Sequence, residues 1–204
     1  MKLNYNLKPT VISLFTLAFL QVQNPVIALE NQEKFGDFSI NLELNTSKKL
    51  SKKPPIQLAI DDYYWGPQRD FNIWMPGVLI KNTYETLRSM NAATQTVYLI
   101  SHRDMPPEMS YLGSKEIREV LQVALRATIS RNDKVVKSTN MVLKGYPGVE
   151  LLVQYADGTQ GQYQGYLVRR RFYILGAITS NELNTEVANF FDSFRVYPTR
   201  IVSY

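Results

Sequence analysis

The chain has no cysteine and a single histidine, His102, in 204 residues. Without thiols it forms no disulfide, no thiolate-held zinc or iron–sulfur site and no cysteine nucleophile, and it carries no lipid on an N-terminal cysteine. One imidazole cannot build a multi-histidine metal centre, and any histidine-dependent triad has to use His102. Long apolar runs are missing as well. Val11 to Leu20 carries no charge, but at ten residues it falls short of the roughly 17 to 25 that span a bilayer as a helix. The glycines Gly145, Gly148, Gly158, Gly161 and Gly165 do not lead into a helix with lysine and serine or threonine, so they suit turns and bulges rather than a phosphate loop. Ser110, Ser114 and Ser193 stand in no nucleophile-elbow pattern. No catalytic residue is therefore assigned, no cofactor is expected, and the chain is read as a non-enzyme.

What is present is the composition of a folded domain, 45% hydrophobic and 12% aromatic, whose core has to hold without cross-links. Residues Met1 to Ala28 read as a secretory signal. Lys2 and Lys8 make a basic start, Val11 to Leu20 the apolar centre, and Val26 and Ala28 are small enough for the specificity positions of a signal peptidase. Removal of the two lysines lowers the formal net charge from +5 to +3, too mild a basicity to imply nucleic acid. Residues 29–60 read as a flexible lead-in, with Lys48, Lys49, Lys52 and Lys53 just before Pro54-Pro55 and one candidate strand at Phe38, Ile40, Leu42 and Leu44. Residues 61–204 are expected to form a single domain.

Within that domain Phe71 to Met75 alternates and ends at the turn pair Pro76-Gly77. Thr94 to Ser101 reads as a strand covered on both faces. Ser114 offers an N-cap to a helix whose stripe is Ile117, Val120, Leu121, Ala124, Leu125 and Thr128. Strand-like segments follow at 135–143, 149–155, 162–168 and 172–177, with Asp157-Gly158 as a hairpin signal, and links this short permit only antiparallel neighbours. Val187, Phe190, Phe191 and Phe194 then repeat at helical spacing after Asn184 or Thr185. This order predicts an α+β fold, an antiparallel β-sheet covered by helices.

Three clusters are candidates for chemistry. His102, Asp104 and Glu108, where a strand is expected to run out into a proline-containing loop, mix imidazole and carboxylate donors and could hold zinc, manganese or calcium, or could simply be a solvated loop. Asp61-Asp62-Tyr63-Tyr64-Trp65 joins two acids to three aromatics. Adjacent acids point in different directions along an extended chain, so Tyr63, Tyr64 and Trp65 are candidates for partner or ligand contact, or for packing on the domain. Arg169, Arg170 and Arg171 sit between two apolar strands, where Arg169 and Arg171 could share a face and grip a carboxylate or phosphate, or the whole run could be a solvated hairpin end.

Four marks taken in order, F-N-I-W-M-P-G at Phe71 to Gly77, G-Y-P-G-V-E at Gly145 to Glu150, the strand Arg171 to Leu175, and Phe191-Asp192-Ser193-Phe194, resemble the PsbP/Mog1-like superfamily over roughly residues 70–197. The resemblance implies an α/β/α sandwich. Its members include lumenal proteins that accompany photosystem II, proteins of unassigned role and a GTPase binder, and no catalytic machine defines them. With no cysteine to carry a lipid, the resemblance is to a PsbP-like exported relative. The expectation is thus a non-catalytic exported accessory module of the periplasm or thylakoid lumen, with a protein partner, no nucleic acid and no stable transmembrane anchor. The alternative is an exported protein that binds a small ligand or a metal ion.

Overall fold

A computed structural model of the chain describes residues 63–130 and 132–202. The expected signal, the lead-in with its candidate strand, and Asp61-Asp62 lie outside the described residues. Among the described residues ten strands form two antiparallel sheets. A small sheet of order β1-β2-β10 joins β1 (Tyr63–Trp65), β2 (Phe71–Trp74) and β10 (Arg195–Val196). The large sheet has the order β3-β4-β5-β9-β8-β7-β6. Its strands are β3 (Val78–Asn82), β4 (Thr86–Asn91), β5 (Thr96–Asp104), β6 (Lys134–Leu143), β7 (Tyr146–Gln154), β8 (Gln160–Val168) and β9 (Arg171–Thr179).

Turn chemistry dictates the meander from β6 to β9. Lys144 and Gly145, both at positive φ (48° and 86°), make a two-residue link of the kind whose twist matches that of paired strands. In the next loop Asp157 Oδ1 accepts from the Thr159 amide and hydroxyl, and Gly158 supplies φ 89°. Arg169 and Arg170 close the third turn, again with one residue at positive φ (56°). β5 instead leaves the sheet centre through a 3₁₀ turn, Pro107–Tyr111, and helix α1 (Ser114–Ala127), which carries the chain across β7 and β8 to the far edge. The helix starts one residue earlier than expected: Gly113 is the N-cap, and its amide donates to Glu116 Oε2 at 2.7 Å.

The two helices cover opposite faces. Gly165 lets α1 approach, since a Cβ there would stand 3.2 Å from the Leu125 Cγ, whereas the next residue, Tyr166, points the other way and stacks on Phe194. That second face carries Tyr98, Ile100, Tyr166, Tyr173 and Leu175. It is covered by helix α2 (Thr185–Asp192), through Val187, Phe190 and Phe191, and by the inner face of the small sheet, through Phe71, Ile73 and Val196. Asn184 caps α2 by accepting from the Val187 amide. Glu186 anchors its first turn to the large sheet, accepting from Asn91, Thr94 and Tyr98. Gly77 (φ 81°) turns β2 into β3 so tightly that a Cβ would lie 2.2 Å from the Met90 carbonyl oxygen. The result is the expected α+β sandwich: α1, the large sheet, then α2 with the small sheet.

Candidate functional site

β5 is longer than its apolar pattern suggests. It stays paired with β9 through His102↔Tyr173 and Asp104↔Arg171, so His102 and Asp104 belong to a strand rather than to a loop. Residues opposite one another in a ladder share a face, and all four point toward the small sheet. The bend before β2 (Arg69 φ 55°) lowers Asp70 onto the same spot. Arg171, with 2% of its side chain exposed, occupies the centre. Its Nε and Nη2 donate to the two oxygens of Asp104 at 2.7 and 2.9 Å, and its Nη1 donates to Asp70 Oδ2 at 3.0 Å and Gln68 Oε1 at 2.9 Å. Nη2 also reaches the Val202 carbonyl at 3.4 Å. Tyr173 donates its hydroxyl to Asp70 Oδ2 at 2.5 Å.

This arrangement ties the small sheet, the large sheet and the C-terminal segment to one cation. Burial alone would pull the Arg171 guanidinium down, but its bonds to Asp104 and Asp70 outweigh that and hold it above its ordinary range. The Tyr173 phenol is pushed well up, first by burial and then by the Asp70 charge. His102 sits among the rings of Phe71, Tyr84 and Tyr173, at 5.4, 5.8 and 6.3 Å. Burial lowers its pKa, with the Asp70 charge opposing. His102 Nε2 and Asp70 Oδ1 are buried and have no hydrogen-bond partner.

Two expectations are corrected here. Arg171 is neither a solvated hairpin end nor an open anion grip, because the chain's own carboxylates occupy its fork; only Arg169, in the turn, is exposed. His102, Asp104 and Glu108 do not converge on a metal: Asp104 has both oxygens on Arg171, Glu108 projects from the 3₁₀ turn, and no group of three or more His, Asp or Glu able to hold an ion occurs among the described residues. Asp70, Gln68 and Tyr173 complete the cluster. Nothing in their local sequence signals it, since Asp70 and Arg171 are 101 positions apart.

The aromatic cluster divides by strand alternation. Tyr64 turns inward beside Phe71, its ring centroid 6.3 Å away, and burial raises its phenol. Tyr63 and Trp65 turn outward, 53% and 41% exposed. The register places Tyr63 opposite Trp74, and Asn72 opposite both Trp65 and Arg195, so these five residues form the outer face of the small sheet. At one end Tyr63, Trp74 and Arg195 line a shallow groove of about 420 Å³ with Asn189, Asp192 and Ser193. At the other end Trp65 stacks on Tyr197, 5.4 Å between centroids and 26° between planes. The Arg200 guanidinium lies 4.8 Å over Tyr197 and 5.7 Å from the Trp65 ring, and Lys144 Nζ lies 5.4 Å over Tyr197.

No family model and no curated protein matches the chain. Among solved structures it is similar to cyanobacterial PsbP (CyanoP) from Synechocystis sp. PCC 6803, with 11% identity, a TM-score of 0.48, and coverage of 72% of this chain and 99% of that one. It is also similar to the Ran-binding protein Mog1p of Saccharomyces cerevisiae, with 10% identity, a TM-score of 0.45, and coverage of 66% and 94%. A third is a protein of unknown function, a putative regulator, from Pseudomonas aeruginosa, with 13% identity, a TM-score of 0.34, and coverage of 53% and 76%. The likeness is one of fold alone.

Proposed function

We propose that the protein is a non-catalytic exported accessory module that binds a protein partner, in the periplasm or thylakoid lumen, through the outer face of the small sheet. One observation carries the reading: the chain's two tryptophans, Trp65 and Trp74, lie on this face together with the exposed Tyr63. Tryptophan and tyrosine are the side chains that most often dominate binding energy at interfaces, and Tyr63 and Trp65 keep much of their ring surface in solvent. The polar groups best suited to chemistry, His102, Asp70, Arg171 and Tyr173, are buried and are used to hold layers together. No helix among the described residues is long and apolar enough to cross a membrane.

Site-specific photo-crosslinking in the native host tests the reading. A benzophenone side chain placed at Tyr63 or Trp65 is expected to give a discrete protein adduct, identifiable by mass spectrometry. The same probe at Val136, exposed near the start of β6, is expected to give none. Adducts at all three positions, or at Val136 alone, would refute it.

A further inference from the structure

We infer that the outer face of the small sheet recognises an extended acidic peptide segment, with carboxylates held by Arg200, Lys144 and Arg195 and an apolar side chain seated on Trp65. The inference rests on the protein-binding reading and supplies its chemistry. Two cations share one ring: Lys144 Nζ at 5.4 Å and the Arg200 guanidinium at 4.8 Å from the Tyr197 centroid. Each is fixed by a main-chain carbonyl, Lys144 by Val196 at 3.0 Å and Arg200 by Arg69 at 3.2 Å. Arg195 is held in the same way by the carbonyls of Asp192 and Phe194. The ion pairs among the described residues join Arg103 to Glu85 and Arg171 to Asp70 and Asp104, so no carboxylate among the described residues pairs with any of the three outer cations.

Like charges placed on one side chain's ring repel, and a guanidinium over an aromatic ring keeps N–H donors for a carboxylate. The face is therefore preorganised for an anion flanked by apolar surface. An extended peptide brings an apolar side chain for the exposed Trp65 ring as well as carboxylates, which a free phosphate does not.

Fluorescence anisotropy with the full chain decides it, using three labelled probes: the capped peptide Glu-Asp-Phe-Glu-Asp-Leu, its amide counterpart Gln-Asn-Phe-Gln-Asn-Leu, and an oligodeoxyadenylate. The acidic peptide is expected to bind, and to weaken as salt rises. The Lys144→Ala, Arg200→Ala double variant is expected to raise its Kd about tenfold, while Lys137→Ala on β6 leaves it unchanged. Both altered side chains are exposed, so an unchanged melting midpoint is expected and verifies folding. Equal binding of the amide peptide, absence of binding, preference for the oligonucleotide, or self-association that consumes the face in sedimentation would overturn the inference. If crosslinks at Tyr63 persist while the acidic peptide fails, the interaction module stands and only its acidic preference falls.

Discussion

At the scale of single residues the fold depends on Arg171 to an extent unusual for a surface-type side chain. Removing one member of a buried ion pair leaves the other charge without compensation, which costs about 3 to 5 kcal/mol. Arg171→Met is expected to lower stability by about that amount, chiefly because Asp70 is wholly enclosed. Asp104→Asn should cost less, since 37% of the Asp104 side chain reaches solvent. Urea denaturation of the two variants tests the order, and an Arg171→Met midpoint equal to wild type would show that the cluster holds nothing. His102 adds a pH dependence of definite sign. Its folded-state pKa lies below the ordinary 6.5 because burial penalises the cation, so the unfolded chain takes up the proton first. Its contribution to stability is present above 6.5 and is lost as the pH falls from there toward the lower folded value. Wild type should therefore lose more stability between pH 7.5 and 5.5 than His102→Gln does. Parallel pH profiles for the two proteins would contradict this.

At the scale of elements α2 carries the second layer. Phe190 is fully buried against Tyr98, and Phe194, just past the helix end, packs on Tyr166 and Tyr173. Truncating either to alanine opens a cavity between the helix and both sheets, and each should cost about 3 to 5 kcal/mol. An unchanged denaturation midpoint in Phe190→Ala would be inconsistent with this packing. The substitutions sit beside one another in a shared core, so the double variant should not be additive. α1 is a different kind of element. Its buried stripe, Leu121, Ala124 and Leu125, lies against β7 and β8, and Ile117 and Val120 are half-covered, as expected where a helix meets only two strands of a wide sheet.

At the scale of the whole molecule we propose an exported domain whose interior, including the inner face of the small sheet, serves stability and whose outer small-sheet face serves contact. If residues 1–28 act as a cleaved signal, the protein recovered from its native host should begin near Leu29. Intact-mass and N-terminal peptide analysis of that material checks it, and retention of Met1–Ala28 in most molecules would defeat cleavage.

The sequence by itself determined the elements whose residues are neighbours along the chain. The stripe of α1, the phenylalanine repeat of α2, and strands β6 to β9 with the Asp157-Gly158 turn were legible because periodicity and turn chemistry act over a few residues. β3 and β4 were not. Val78 and Ile80 face solvent at a sheet edge, and half-exposed edges blur the alternation that marks a strand. The end of β5 was misread as loop because its residues from Ser101 are polar, and only pairing with β9 keeps them extended. Both sites belong to tertiary structure. Asp70, Asp104 and Arg171 become a cluster when the small sheet folds onto the large one, so a run of arginines that looks solvated in sequence contributes its last member to the core. The outer face likewise exists because β10 returns more than a hundred residues later to pair with β2, bringing Arg195 onto that face and Tyr197 and Arg200 beside Trp65. Short-range pattern cannot encode such a meeting, because the cost of closing so long a loop is repaid only by the assembled core.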